Sequence, residues 1–191
     1  MTILANSAIY AALRDGAIVC DPPPKRIEGA HIDVTLGAHW WLWKPPYGIS
    51  STHAVLIDEA DPRDVFVPGH ENGRVVFPSQ SFVLAHTLEY IGTAPGSGLL
   101  AMLDTRSTMA RWGLAAHQGA GVGDEGFCSR WTLEVANPHR TALALPVGAR
   151  VGCITFHRLE GSATPYAPGT RYNAQAGEWT PGDMLPTKGN W

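Results

Sequence analysis

The sequence predicts a mainly β protein, a sandwich, jelly roll or distorted barrel with one core. Three observations carry that reading. The 191 residues include 21 glycines and 15 prolines, the usage of a turn-rich fold. Only 16% are charged where about 25% is usual, which fits a chain that buries much of its surface, part of it against other subunits. Apolar and polar residues also alternate in short runs between turn clusters, the period of half-buried strands.

In chain order, Asn6 or Ser7 can cap a short helix that places Ile9, Tyr10 and Leu13 on one face, and Asp15-Gly16 can end it. The runs IEGAHIDVTLG, WWLWKPPYG, HAVLIDEADPRD, VVFPSQSFVLAHTLEYI, GLLAMLDT, WTLEVAN and RVGCITFHRL then read as strand segments. The aromatic run HWWLWKPPYG reads as a core or subunit-contact strand. From about Gly161 the chain is rich in Gly, Pro, Thr and Asn without apolar period, so a domain over 1–160 is followed by a tail over 161–191.

Two stretches could carry chemistry. In LDTRSTMARWGL, Asp104 or Thr105 can cap a helix of one or two turns that Gly113 ends, with free backbone N–H groups beside Arg106, Ser107 and Thr108. Such an end attracts anions, and Arg106 adds a planar fork for phosphate oxygens while Arg111 points elsewhere. A capped surface helix with two solvated arginines fits the same pattern. In the second stretch a strand from Phe127 to Val135 puts Phe127, Ser129, Trp131, Leu133 and Val135 on one face and Cys128, Arg130, Thr132 and Glu134 on the other. Glu134 then meets solvent, pairs with a neighbour such as Arg130, or lines a cavity where burial would raise its pKa toward a range useful near neutral pH.

Several classes are disfavoured. A net charge of -3 argues against a nucleic-acid surface, so an anionic partner should be small. Cys20, Cys128 and Cys153 show no C-x-x-C spacing, and the eight histidines form no i,i+2 or i,i+4 pair, which disfavours a disulfide framework and a zinc-dependent deaminase. P-loop, Rossmann and nucleophile-elbow motifs do not occur. With no run of membrane-spanning length and no basic leader, the expectation is a soluble, cytoplasmic protein with no membrane partner.

As an ordered set, these stretches resemble the dCTP deaminase branch of the trimeric dUTPase superfamily. Arg106, Ser107, Thr108, Met109, Ala110, Arg111, Trp112, Gly113 and Leu114 are similar to that branch's R-S-S-L-A-R-L-G-L. HQGAGVGDEGF resembles its H-V-T-A-x-x-x-D-P-G-[FW], and TLEV resembles the strand T-L-E-[LF], with Glu134 lying 23 residues after Arg111. Upstream IEGAHIDVTLG and FVLAHTLEYI, and downstream RYNAQAG, also match. The resemblance implies a distorted jelly-roll or β-barrel of the dUTPase-like type, with a short N-terminal helix and a mobile C-terminal tail.

It further implies zinc-independent deamination of dCTP to dUTP and ammonia in pyrimidine deoxynucleotide supply, by a homotrimer with Mg²⁺ carried on the triphosphate. Glu134 is the implied proton shuttle. Ser107 and Arg111 would place water and base near Glu134, and backbone groups around Ala120 would help read the base edge. Arg106, Ser107, Thr108, Met109 and Ala110 would hold phosphates. Asp124 would take the sugar 3′-hydroxyl, Phe127 would pack on the deoxyribose, and the Thr132, Leu133 and Glu134 strand would read the base edge. Tyr166, Arg171 and Gln175 would close over the phosphates. Gly119 stands where the family usually has threonine, Glu125 where it has proline, and Arg171 where lysine is common. A bifunctional enzyme that goes on to dUMP, a dUTP diphosphatase using Asp124, and a nucleotide-binding regulator without turnover are the competing readings.

Overall fold

The longest strand runs from Ser81 to Thr93, and the architecture is arranged around it. The computed structural model describes residues 2–25, 27–44, 54–69, 73–167, 170, 172–173 and 178–187. Its elements are β1 (Thr2–Ile3), α1 (Asn6–Arg14), β2 (Ile18–Asp21), β3 (His31–Thr35), β4 (Trp41–Trp43), α2 (Pro62–Val65), β5 (Phe66–Pro68), β6 (Arg74–Phe77), β7 (Ser81–Thr93), β8 (Leu99–Thr105), α3 (Ser107–Arg111), β9 (Val122–Gly123), β10 (Cys128–Asn137), β11 (Leu143–Pro146) and β12 (Arg150–Arg158), then a 3₁₀ turn over Pro181–Met184.

Two five-stranded sheets form a distorted sandwich, as the alternation predicts. One has the order β1-β12-β8-β9 with β3 also on β12. The other has β10-β7-β4-β5 with β2 also on β7, and β11 and β6 make a separate ribbon. Ile32, Val34, Val83, Ala85, Leu133, Val135, Ile154 and Phe156 from both sheets meet in one core, each with 0% exposure. Burial of a side chain of this size contributes about 1.5–3 kcal/mol, enough in sum to pin which face of each strand turns inward.

Strand β7 carries a bulge that positions the site. Arg130 pairs with Tyr90 while Thr132 pairs with His86, so β7 spends more residues than β10 across this interval. Side chains satisfy the displaced backbone. The Thr87 hydroxyl accepts the Trp131 N–H at 2.9 Å and donates to the Glu89 carbonyl at 2.8 Å. The Glu89 carboxylate in turn accepts the Thr35 N–H at 2.8 Å and its hydroxyl at 2.6 Å. A buried carboxylate is tolerated because it is hydrogen-bonded on both oxygens.

Local expectations fail where capping or a turn outweighs pattern. The N-cap of α1 is Ala5, and Tyr10 is 43% exposed, with its hydroxyl accepting the Ile27 N–H at 3.3 Å. Helix α3 starts with Arg106 as N-cap, because Asp104 and Thr105 belong to β8 and the Thr105 hydroxyl is taken by the Ala116 N–H at 2.7 Å. In place of a strand, the described part of HAVLIDEADPRD forms a turn and then α2, where Asp61 caps the Arg63 N–H at 2.9 Å and Pro62 opens the helix.

The aromatic run divides its work. Trp40 is in the main core at 7% exposure, whereas Trp41 and Trp43 pack on a second cluster of Val65, Phe66, Leu84, Met184 and Leu185. The Trp41 indole N–H also donates to the Pro181 carbonyl at 2.8 Å. Within the chain, therefore, these tryptophans hold the C-terminal segment, while Pro45–Tyr47 lie outside the described residues. Among the described residues, no helix is long and apolar enough to cross a membrane.

Candidate active site

The alternation of β10 turns Trp131, Leu133 and Val135 into the core and leaves Arg130, Thr132 and Glu134 half-buried on the other face. Over that face lies a cavity of about 490 Å³. It collects six of the sequence-predicted residues, Ala120, Asp124, Phe127, Thr132, Glu134 and Tyr166. Leu84, Phe66 and Phe82 from the sheet, and Trp179, Met184 and Pro186 from the C-terminal segment, complete the apolar part of its wall.

Two hydrogen bonds tie the loop after α3 to Glu134. Its backbone N–H donates to the Ala116 carbonyl at 3.1 Å, and its Oε2 accepts the Gln118 N–H at 3.1 Å. This brings Ala120 to the cavity beside the carboxylate. At the other end, the Phe127 N–H closes a turn on the Asp124 carbonyl at 2.9 Å, and Phe127 meets Trp131 and Tyr166 edge-on at 5.0 and 5.6 Å between centroids. Gly126 sits at φ +85, and a Cβ there would meet the Tyr166 backbone at 3.1 Å, so the turn requires glycine twice over.

Asn173, which the tail pattern did not single out, fastens this corner. Its Oδ1 accepts the Cys128 N–H at 2.8 Å, and its Nδ2 donates to the carbonyls of Gly126 at 3.1 Å and Ala167 at 3.3 Å. Trp179 was also missed. The guanidinium carbon of Arg130 lies 5.5 Å from the centre of its ring, and His86 is tilted against it at 4.5 Å. His86 accepts the His39 N–H at 3.2 Å on Nε2 and donates from Nδ1 to the Thr87 carbonyl at 2.8 Å, the neutral tautomer. Burial above all, helped by the nearby charges of Arg130 and His39, pushes its pKa down to about 4 against the pull of the Thr87 carbonyl.

The remaining predicted residues lie elsewhere. The Leu133 and Met109 side chains are in the main core. Arg106 donates to Asp33 at 2.5 Å, and Arg150 meets the other oxygen of that carboxylate at 3.2 Å. Ser107, Thr108, Ala110 and Arg111 are exposed on α3, where Arg111 donates to the Ser107 hydroxyl at 3.3 Å. Thus Arg106, Ser107, Thr108 and Arg111, expected to hold phosphates, do not line the cavity of Glu134 within one chain. Arg171 and Gln175 lie outside the described residues.

Chemically, the cavity offers the Glu134 carboxylate beside the Gln118 N–H, two further acidic residues at Asp124 and Asp183, a hydroxyl at Thr132, and an aromatic end. Such a set can bind a planar heterocycle and move protons on it. Among the described residues no histidine or cysteine lines the cavity, and no three His, Cys, Asp or Glu side chains converge as a metal site requires.

Comparison with known proteins bears on the family and the fold. The dCTP deaminase-like family model matches residues 3–159. A dCTP deaminase, dUMP-forming, of Dictyoglomus thermophilum is 32% identical over 184 residues, covering 92% of this chain and 91% of its own. A dCTP deaminase of Aeromonas hydrophila is 34% identical over 186 residues, covering 91% of this chain and 94% of its own. Among solved structures, the 2'-deoxycytidine 5'-triphosphate deaminase from Agrobacterium tumefaciens superposes with a TM-score of 0.57 at 15% identity, over 81% of this chain and 46% of that one, which speaks for the fold. By the extent of the family match and the identity to full-length relatives, the chain belongs to the dCTP deaminase-like family.

Proposed function

We propose that the protein hydrolyses dCTP to dUTP and ammonia without zinc, with Glu134 as the proton shuttle. The observation that carries this reading is the Glu134 carboxylate, held by the Gln118 N–H on the wall of a cavity that also contains Ala120, Thr132, Asp124 and Phe127. Glu134 takes a proton from water as its oxygen attacks C4, and passes that proton to N3. It then carries the hydroxyl proton to the amino group, which leaves as ammonia while C4 becomes a carbonyl. Positioned acid–base catalysis of this kind supplies about 10²–10⁴-fold, and the rest comes from placement and electrostatics.

In this reading the sugar lies against Phe127 and Tyr166, near Asp124, and the base reaches toward Thr132 and Glu134. Helix α3 presents Ser107, Thr108 and Arg111 to solvent beside Trp112, which is 65% exposed. A homotrimer would bring α3 of one subunit to the cavity of the next and so unite phosphate motif and carboxylate. Mg²⁺ would arrive with the triphosphate and supply charge neutralisation. The donor set fits that arrangement, because the carboxylate beside Arg106 is Asp33 and both its oxygens are already engaged by arginines.

A second reading, continued hydrolysis to dUMP and pyrophosphate, is favoured by the position of Asp124 in the same cavity and by the dUMP-forming activity in the name of the Dictyoglomus relative. Incubation with dCTP and Mg²⁺ under a zinc chelator, with ion-exchange separation of products, tests both. Accumulating dUTP supports the deaminase; dUMP with pyrophosphate supports the bifunctional enzyme; dCTP and dUTP both left intact would leave only a binding protein.

A further inference from the structure

The cavity at Glu134 opens onto a second, apolar volume. It shares Phe66, Phe82 and Pro186 with an adjoining apolar groove of about 370 Å³, whose other walls include Trp43, Val55 and Val65. The junction includes Phe82, two residues along β7 from Leu84, which pairs with Glu134.

The two flanks of Glu134 differ in chemistry. One is polar, where the loop presents the Gln118 N–H at 3.1 Å and Ala120 lines the wall. The other is apolar. Leu84 stands directly across the ladder from Glu134, and Phe82 stands across from Ala136, the next position but one along β10; both line the cavity. Facing residues in an antiparallel pair have Cβ atoms about 4.5–5.5 Å apart, so Leu84 is an immediate neighbour of the reacting carboxylate.

This extends the deaminase reading, on which it rests. In cytosine, C4 is opposite the glycosidic nitrogen, with N3 on one flank and C5 on the other. With the sugar at Phe127 and C4 at Glu134, N3 belongs on the polar flank, since it must receive a proton there. C5 then faces Leu84 and Phe82, and a hydrogen at C5 leaves the apolar volume beyond it unfilled. We infer that the enzyme accepts deoxycytidine triphosphates bearing an alkyl or alkynyl group at C5, seated on Leu84, Phe82 and Phe66 and directed toward the groove. The reaction balances as before, with water consumed and ammonia released, and the C5 substituent is retained in the corresponding 5-substituted dUTP.

The test is steady-state ammonia release by the full-length protein from dCTP, 5-methyl-dCTP and 5-(1-propynyl)-dCTP. Each methylene-sized group buried should raise kcat/KM by about fourfold at most, so 5-methyl-dCTP should match dCTP or exceed it by up to about fourfold and the propynyl analogue by up to about sixtyfold. Phe82→Trp, which narrows the junction of cavity and groove, should lower kcat/KM for the propynyl analogue at least about tenfold more than it lowers that for dCTP. Analogues turned over about a hundredfold less well than dCTP would overturn the inference and leave the deaminase standing. A variant that loses both substrates equally, or neither, would also overturn it. If no nucleotide releases ammonia, the deaminase reading falls and takes the inference with it.

Discussion

The backbone N–H of Gln118 donates to Oε2 of Glu134 at 3.1 Å, which couples the loop after α3 to strand β10. A donor in this position fixes the rotamer from which, in the proposed reaction, the carboxylate reaches C4. Because the donor is backbone, Gln118→Ala should leave deamination within about twofold of the parent, whereas Gln118→Pro, which lacks the N–H, should lower kcat by about ten- to a hundredfold. Equal rates for the two variants would show that the contact has no part in the reaction.

Glu134→Gln keeps the shape of the side chain and removes its basicity. Turnover of dCTP should fall by at least about 10²-fold while nucleotide binding, read by calorimetry, persists. Near-normal turnover in this variant would remove Glu134 from the proposed role.

Asp33 holds Arg106 at 2.5 Å and Arg150 at 3.2 Å. Partly exposed pairs of this sort contribute up to about 1 kcal/mol to stability, so Asp33→Asn should move the melting temperature little. Its effect should appear in binding, where an unanchored Arg106 raises KM for dCTP by about three- to tenfold with a smaller change in kcat, and more so at low salt. A fall in kcat at constant KM would contradict a phosphate-binding role for Arg106.

What the sequence disclosed follows from the range of the signals. Strand alternation is local, and it separated Trp131, Leu133 and Val135 from Arg130, Thr132 and Glu134 correctly. Resemblance to the family's ordered motifs marked the six residues that meet in the cavity. By contrast, β1 and β9 have two residues each, too few to display a period, and their pairing depends on distant partners. Asn173 contacts Cys128 across 45 positions and Trp41 reaches Pro181 across 140, and nothing in either neighbourhood forecasts such contacts. The misread run HAVLIDEADPRD contains its own explanation, since Asp61-Pro62 is a helix start that overrides the β propensity of the residues before it.

His86 gives the fold a pH dependence. Its folded pKa of about 4 lies below the ordinary 6.5, so between those values the unfolded chain binds a proton that the native chain does not. Stability therefore falls as the pH drops through that window, by at most about 3 kcal/mol once it is crossed. His86→Gln should flatten this dependence. The check is the difference in melting temperature between about pH 7.5 and pH 5, which should be smaller in the variant. An unchanged difference would assign the acid sensitivity to other groups.

Asn173 supplies a test of the corner that carries Phe127. It is 6% exposed, and its amide bridges the Cys128 N–H and the Gly126 and Ala167 carbonyls. Removal by Asn173→Ala leaves the buried Cys128 N–H without this acceptor, at a cost of about 1–3 kcal/mol. Asn173→Asp keeps the acceptor and loses the two donations, so it should melt between the parent and the alanine variant. The same order should hold for KM, because the backbone from Gly126 to Cys128 sets where the Phe127 ring stands against Tyr166 and hence, in the proposed binding mode, against the sugar. With chemistry still governed by Glu134, kcat should change less than KM in both variants. If the alanine variant loses stability but keeps the parent KM, Asn173 fastens the tail without positioning the nucleotide.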